Sequence, residues 1–279
     1  MQPLIIAGMH RSGTSVLTAI LDDLGLFSGR KLEENHEATF FLHLNNWLLR
    51  QAGGAWDYPE PFRDFLTYPD LVEARAAQLR HMLTMPRAIE YLGLVPYLRL
   101  GDVAALDRPW GWKDPRNTFT LPVWRKIFPG ARLLVIRRHG ADVASSLEVR
   151  ARRLRRELTA HPVTRSRWGW RLPVSNNSFC RCLDLEASLA LWESYTCEAE
   201  KHVRDMGELA LAVRYEEFLD DPLRVMTDIT LFAGLSPGRA AIETAVERLQ
   251  REKAFKYREA APLAALAERH KTSLAAFGY

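Results

Sequence analysis

The segment IIAGMHRSGTS at residues 5–15 places the strongest constraint on the fold. The apolar run PLIIAG (3–8) is typical of a buried strand, and it stops at Gly8. Apolar residues then recur at helical spacing: Val16, Leu17, Ile20, Leu21 and Leu24. The segment therefore predicts a strand, a tight loop and a helix. Such a loop favours an anion, because unpaired backbone N–H groups and the helix dipole act together at the helix N-terminus.

The loop keeps most of the G-x-x-x-x-G-K-[ST] pattern of triphosphate-binding loops, but Thr14 stands where that pattern requires lysine. A cation lies inside the loop instead, at Arg11. Because the missing lysine would reach the β- and γ-phosphates, its absence argues against triphosphate chemistry. We expect a single terminal phosphate to be held by Arg11 together with the residues that open the helix: Ser12, Gly13, Thr14 and Ser15. The alternative is a glycine turn that only joins the strand to the helix.

Length and composition fit a globular protein, and 279 residues are enough for one large α/β domain. No apolar run reaches the about 18 residues of a membrane span, and no signal peptide precedes the first strand, so we expect a cytoplasmic protein. Cys180, Cys182 and Cys197 lack metal-site spacing and are expected to be reduced thiols. The net charge of +4 and the lack of nucleic-acid motifs predict no nucleic-acid partner. Nothing in the sequence indicates an oligomeric state.

Three further stretches are typical of buried strands, at 110–114, 131–138 and 208–216. Helical patterns lie between and after them, at 37–52, 70–92, 140–156, 183–206, 222–233, 238–251 and 262–276. Strands separated by helices predict a single α/β domain over 1–279, with a central, mostly parallel sheet flanked by helices. Two stretches rich in Gly, Pro or aromatic residues, 53–69 and 157–180, are expected to be irregular loops that fold over a site.

Cationic side chains follow three of the predicted strands. Arg11 follows the first, Lys113 and Arg116 the second, and Arg138 the third. Because ligands bind at the carboxyl ends of parallel strands, we expect these cations to meet at one edge of the sheet. A further arginine cluster, RARRLRRE at 150–157, is either a solvated helix face or a basic rim that attracts an anionic cofactor or acceptor.

Several motifs together resemble those of sulfotransferases that use 3′-phosphoadenosine 5′-phosphosulfate (PAPS). GMHRSGTS resembles the family's 5′-phosphosulfate loop. ARLLVIRRHGADVASSL is similar to the 3′-phosphate motif, whose spacing selects Arg138 and Ser146. WGWKDPR (110–116) resembles a segment of bacterial and carbohydrate-type members, and ENHEATFFLHLNNWLL (34–49) resembles bacterial members. VRYEEFLDDP (213–222) is similar to the family's late Tyr-Glu segment before a helix. The resemblance implies a P-loop-like fold, PAPS as donor, adenosine 3′,5′-bisphosphate (PAP) as product, and no required metal.

The resemblance also implies catalytic residues. Lys113 and Arg11 are the candidates for stabilising the charge on the leaving group. In many cytosolic members a histidine base follows a Lys-Thr pair, whereas the matching segment here is KDPR, which has no histidine. The base is therefore expected among the acids near residue 35. The match to bacterial members favours Glu37, whereas Glu34 or His36 are the alternatives. The residues 33–37 could instead only open a helix, where acids are favoured. Asp114 is expected to orient Lys113 or to cap the chain that follows, and Arg116 to do the same or to touch the acceptor.

The acceptor is expected to be a hydroxyl of a glycan or a small metabolite. Four aromatic residues could line its pocket or belong to the core: Trp47, Trp56, Tyr58 and Trp168. The segment REKAFKYRE (251–259) lies where family members cover the 3′-phosphate. Two other functions remain open from the sequence. One is a P-loop kinase of a small molecule, which would need the missing lysine and a magnesium ligand, and the other is a nucleotide-binding protein without activity.

Overall fold

The computed structural model describes residues 1–160 and 179–279. Within these ranges one parallel sheet has the strand order β2-β1-β3-β4. Its strands are β1 Leu4–Ala7, β2 Gly111–Lys113, β3 Arg132–Arg137 and β4 Ala210–Arg214. Leu4 pairs with Gly111 on one side and with Arg132 on the other, so the three C-terminal ends of β1, β2 and β3 lie side by side. The predicted parallel α/β fold is confirmed.

The helices occupy most of the rest of the described chain. Their bounds are α1 Thr14–Asp23, α2 Thr39–Gln51, α3 Glu60–Phe65, α4 Pro69–Met82, α5 Ile89–Leu92, α6 Leu94–Leu100, α7 Asn117–Ile127, α8 Gly140–Ala160, α9 Leu185–Met206, α10 Tyr215–Asp220, α11 Pro222–Ala233, α12 Arg239–Val246, α13 Ala261–Arg269 and α14 Lys271–Ala276. Short 3₁₀ turns lie at Pro86–Ala88, Val103–Ala105, Cys180–Leu183, Gly207–Leu209, Arg251–Lys253 and Lys256–Glu259. In the described part of the chain, no helix is long and apolar enough to cross a membrane.

The sheet is buried on both faces, because alternate side chains of each strand enter different apolar cores. One core, which includes residues of α2, α7, α8 and α9, receives these strand residues: Ile5, Ala7, Leu133 and Val135. The other, which includes residues of α1, α10, α11 and α12, receives Leu4, Ile6, Leu134 and Ile136. Because helices cover both faces, the loops that follow the strands meet at the C-terminal edge of the sheet, and polar side chains are expected there.

The structure corrects several predicted boundaries. The helix predicted over 70–92 is broken after Met82, because Pro86 disfavours helical backbone in the residue before it. The stretch 53–69 is not wholly irregular: α3 buries Phe62 and Phe65 with their rings stacked 5.1 Å apart. The helix predicted over 262–276 divides at His270. Of the predicted loop 157–180, residues 157–160 continue α8 and 161–178 lie outside the described residues.

Candidate active site

The loop between β1 and α1 depends on two glycines with positive φ. Gly8 has φ 125° and Gly13 has φ 95°. A Cβ atom at Gly8 would stand 2.4 Å from the backbone oxygen of Ile136, and one at Gly13 would stand 2.4 Å from the Tyr215 ring. The loop is therefore pressed against β3 and α10. Ser12 is fully buried, and its Oγ has no hydrogen-bond partner in the described part of the protein, which suits a bound oxyanion.

Lys113 at the end of β2 joins the loop to the acidic segment. Its Nζ donates to Glu37 Oε1 at 3.1 Å and to Ser15 Oγ at 3.3 Å. Lys113 is 2% exposed and Glu37 is 7% exposed, so the ion pair is nearly closed to water. Burial lowers the pKa of Lys113, and the neighbouring charge of Glu37 opposes this shift. A cation and a carboxylate are thus held together beside the first turn of α1.

Asp114 contacts Arg116 and makes no hydrogen bond to Lys113 in the described part of the protein, so the expectation that it orients Lys113 is corrected. Its bond to the Arg116 N–H fits the other expected role, which is to cap the chain that follows. Its Oδ1 accepts hydrogen bonds from the backbone N–H and from Nη1 of Arg116, both at 2.9 Å. Its Oδ2 accepts from Asn45 Nδ2 at 2.9 Å, and Asn45 also bonds Asn117. Burial raises the pKa of Asp114, while Arg116 acts in the opposite direction. Arg116 Nη1 also lies 3.9 Å from Glu37 Oε2, so Glu37 lies between two cations.

We predict that Asp114→Ala lowers the free energy of unfolding by about 3–5 kcal/mol, because it leaves Arg116 buried without its closest carboxylate. Urea denaturation followed by tryptophan fluorescence measures this change. The control is Glu73→Ala, which removes an exposed ion pair with Lys126 and should change the free energy by less than about 1 kcal/mol. A loss below about 1 kcal/mol for Asp114→Ala would show that the contacts of Asp114 with Arg116 and Asn45 do not stabilise the fold.

Arg11, Arg138 and Ser146 come together as the sequence predicts. Arg11 Nε donates to Ser146 Oγ at 2.8 Å, and Arg138 Nη1 donates to the backbone oxygen of Arg11 at 3.3 Å. Arg138 also lies 3.4 Å from Asp142 Oδ2 and stacks 5.1 Å from the centre of the Tyr215 ring. The C-terminal ends of β1, β2 and β3 therefore each place a cation at the loop between β1 and α1. These cations are Arg11, Lys113 and Arg138.

The C-terminal segment also reaches this place. Arg138 Nη2 donates to the backbone oxygen of Lys253 at 2.8 Å, and the Tyr257 N–H donates to Asp142 Oδ1 at 2.7 Å. A cavity of about 420 Å³ opens beside it, lined by Arg214, Glu216, Glu217, Leu219, Asp220, Ala254 and Phe255. The segment 251–259 thus lies against the residues of the 3′-phosphate motif.

The acids near residue 35 form a turn and not the start of a helix, because α2 begins at Thr39. The Glu33 N–H donates to the Glu37 backbone oxygen at 2.9 Å, and His36 has a φ of 57°. This turn buries Glu37 and leaves Glu34 exposed. Of the candidate bases, Glu37 is the one that touches Lys113.

The sequence comparison assigns the chain to a family. The family model described as "Sulfotransferase family" matches residues 3–237. The chain belongs to the sulfotransferase family. No curated protein matches its sequence significantly.

Solved structures agree with the fold of this sulfotransferase. The sulfotransferase domain of the Synechococcus PCC 7002 olefin synthase is 20% identical with a TM-score of 0.57, covering 99% of this chain and 94% of that one. The sulfotransferase domain from the curacin biosynthetic pathway is 14% identical with a TM-score of 0.52, covering 97% of each chain. A sulfotransferase from Alicyclobacillus acidocaldarius is 17% identical with a TM-score of 0.50, covering 99% of this chain and 95% of that one. At these identities the likeness establishes the fold alone.

The predicted aromatic residues that the structure describes have different surroundings in this sulfotransferase. Trp56 is buried and packs on the loop through His10, with ring centres 4.6 Å apart. Trp47 instead lies under Arg75, whose guanidinium is 5.6 Å from its ring centre. Tyr58 is exposed, and Trp168 lies outside the described residues. Among the described residues of this set, Trp56 therefore contacts the glycine loop.

Sequence reasoning missed two residues of the site, His10 and Arg150. His10 is buried, and its Nε2 has no hydrogen-bond partner among residues 1–160 and 179–279. Burial first, and then the charges of nearby cations, hold the pKa of His10 well below 6.5, so the ring is neutral. Its position inside the glycine loop was the available signal. Arg150 was visible only as one of several arginines in the cluster at 150–157.

Proposed function

We propose that this sulfotransferase moves a sulfuryl group from PAPS to an acceptor hydroxyl and releases PAP. The observation that carries the proposal is the convergence of Arg11, Lys113 and Arg138 on a glycine loop. The buried Ser12 hydroxyl of that loop has no partner in the described ranges, so it offers a further hydrogen bond to an oxyanion. A donor with negative charge at both ends fits this arrangement better than a nucleotide with one terminal phosphate.

Donor binding is divided between two groups of residues. The loop from Ser12 to Ser15, with Arg11, takes the 5′-phosphosulfate. Arg138 and Ser146 take the 3′-phosphate, exchanging their present bonds to Lys253 and Arg11 for bonds to phosphate oxygens. The cavity beside Phe255 gives the adenine room next to the same segment.

Glu37 and Lys113 carry the transfer step. Glu37 accepts the proton of the acceptor hydroxyl as the acceptor oxygen forms its bond to sulfur. The bond between sulfur and the bridging oxygen of the 5′-phosphate breaks, and its electron pair stays with PAP. Lys113 Nζ neutralises the charge on that bridging oxygen. Its present hydrogen bond to Ser15 Oγ places Nζ beside the loop that takes the 5′-phosphosulfate.

Protein cations replace a metal in this proposal. In the described residues, no group of three or more metal-ligating side chains is present. The metal-free reaction, the glycan or small-metabolite acceptor, the cytoplasmic location and the lack of a nucleic-acid partner stay predictions from the sequence.

The test is ligand-induced thermal stabilisation followed by turnover of labelled PAPS with an acceptor panel. At a concentration about 100 times its Kd, PAP is expected to stabilise the protein by about 2.7 kcal/mol. AMP, which lacks the 3′-phosphate, is expected to stabilise it much less. Equal stabilisation by PAP and AMP would contradict the donor site. Stronger stabilisation by ATP with Mg²⁺ would favour a kinase, and PAP binding without turnover would favour an inactive nucleotide-binding protein.

Arg138→Gln is expected to weaken PAP binding about 30-fold or more and to leave AMP binding nearly unchanged, because it removes the cation for the 3′-phosphate. Calorimetric titration measures both affinities. The control is Arg132→Gln at the opposite end of β3, where the exposed side chain bonds the Phe232 backbone oxygen. Equal loss of PAP and AMP binding in Arg138→Gln would assign Arg138 to another part of the nucleotide.

A further inference from the structure

Arg150 lies on the face of α8 that carries the donor-site residues. Asp142, Ser146 and Arg150 follow at intervals of four residues, so their side chains share one side of the helix. Ser146 accepts the hydrogen bond of Arg11 Nε, which connects this face to the phosphate loop. Arg150 therefore stands about one helical turn, ~6 Å along the axis, beyond a residue that touches the loop.

The guanidinium of Arg150 packs against the Trp56 ring. The guanidinium carbon lies 5.5 Å from the centre of that ring. Trp56 is held from two sides, because its backbone oxygen accepts from Tyr195 Oη at 2.7 Å and its ring packs on His10. Burial lowers the pKa of Arg150, and Glu37 is the largest opposing influence on it. Arg150 is thus within electrostatic range of Glu37.

Arg150 differs from its neighbours in the cluster at 150–157. Arg152 pairs with Glu148 at 2.7 Å and Arg153 pairs with Glu157 at 3.5 Å, and both arginine side chains are 65% exposed. Arg150 is partly buried, and none of the carboxylates in the described ranges lies within 4.0 Å of it. Arg152 and Arg153 form a solvated face, whereas Arg150 is a partly desolvated cation with no ion-pair partner among the described residues, which favours binding of an anion.

We propose that the acceptor carries an anionic group, a carboxylate or a phosphate, which Arg150 binds against Trp56 while the acceptor hydroxyl faces Glu37. This inference rests on the proposed sulfuryl transfer. The proposed function assigns the phosphosulfate end of the donor to Arg11, Lys113 and the loop, and this assignment leaves Arg150 for the acceptor. Arg138, which takes the other end of the donor, has different neighbours from Arg150: it lies over the Tyr215 ring and bonds the Lys253 backbone oxygen, whereas Arg150 lies over the Trp56 ring.

The test measures acceptor-site binding to the PAP-saturated protein by calorimetric titration. The probes are methyl β-D-glucuronide for a carboxylate, glucose 6-phosphate for a phosphate, and methyl β-D-glucoside as the neutral match. At least one anionic probe is expected to bind about 10- to 100-fold more tightly than the glucoside. Whichever anion binds more tightly identifies the source of the charge.

Variants assign the preference to a residue. Arg150→Gln is expected to abolish the preference for the anionic probe, and Arg150→Lys is expected to keep part of it. Arg153→Gln removes the same charge one turn away and is expected to keep all of it. PAP affinity and the thermal midpoint of each variant are measured in parallel, and both should match the parent protein.

Three results would overturn the inference: no binding of either anion, equal binding of the anions and the glucoside, or a preference that survives in Arg150→Gln. The last result would place the anion in the sulfuryl position of the loop. Any of these with normal PAP binding refutes the anionic acceptor and leaves the proposed function standing. Failure of PAP itself to bind refutes both.

Discussion

Glu37→Gln is expected to lower kcat by about 10²- to 10⁴-fold, because an amide cannot take the proton of the acceptor hydroxyl. The amide oxygen still accepts the hydrogen bond of Lys113, so the turn at residues 33–37 keeps its structure. PAP affinity should therefore stay close to that of the parent protein. Initial-rate kinetics with PAPS and the best acceptor of the panel give kcat, and calorimetric titration gives the PAP affinity.

Glu34→Gln is the matched control for this variant. Glu34 belongs to the same acidic segment but is exposed and stands outside the contact between Glu37 and Lys113. Its replacement should leave kcat within about twofold of the parent value, as expected for a surface residue away from the reaction. A full rate in Glu37→Gln together with a large loss in Glu34→Gln would exchange the two roles.

Lys113→Met is expected to reduce kcat by about 10²- to 10³-fold, because it removes the cation next to the bridging oxygen where charge develops. Methionine keeps the length and apolar stem of the buried side chain, which limits the loss of packing. Single-turnover measurements at saturating PAPS separate the transfer step from donor binding. The control is Lys126→Met on α7, where the exposed lysine pairs with Glu73 and should not affect the rate.

The pH profile distinguishes a catalytic Lys113 from a structural one. Burial lowers the pKa of Lys113 from 10.5, so the cation is present below that lowered pKa and is lost as the pH rises through it. We expect kcat of the parent protein to fall on the alkaline side before pH 10.5, and the fall to be absent in Lys113→Met. An unchanged alkaline limb in Lys113→Met would remove Lys113 from the transfer step.

The donor half of the candidate site was predictable from the sequence because its residues follow strands. The aliphatic run before Arg138 and the glycine loop after β1 each indicate a strand end. Parallel strands present their carboxyl ends at one edge, so Arg11, Lys113 and Arg138 could be placed together without knowing any contact. The resemblance to the sulfotransferase 3′-phosphate motif selected Arg138 and Ser146, and both lie near the loop.

The resemblance favoured Glu37 as the base but left Glu34 and His36 open, because a turn determines which of these side chains contacts Lys113. From the sequence, residues 33–37 could also open a helix, and no sequence pattern predicts the positive φ of His36. That turn directs Glu37 inward to Lys113, a residue 76 positions away. Contacts between distant segments also explain why Arg150 was missed. Its partner Trp56 lies in a stretch where no periodic pattern predicts direction.

The two kinds of recognition in this protein rest on different parts of its architecture. Two of the groups assigned to the donor, Arg11 and Arg138, follow β1 and β3, whose register is fixed by neighbouring strands on both sides, and Lys113 ends the edge strand β2. Trp56 and Arg150 sit on a connecting segment and a helix, which the sheet does not hold in register. Under the proposed function, we expect substitutions there to change which alcohol is sulfated while the strands continue to bind the same nucleotide. We therefore expect acceptor preference to diverge between descendants of this chain faster than donor use does.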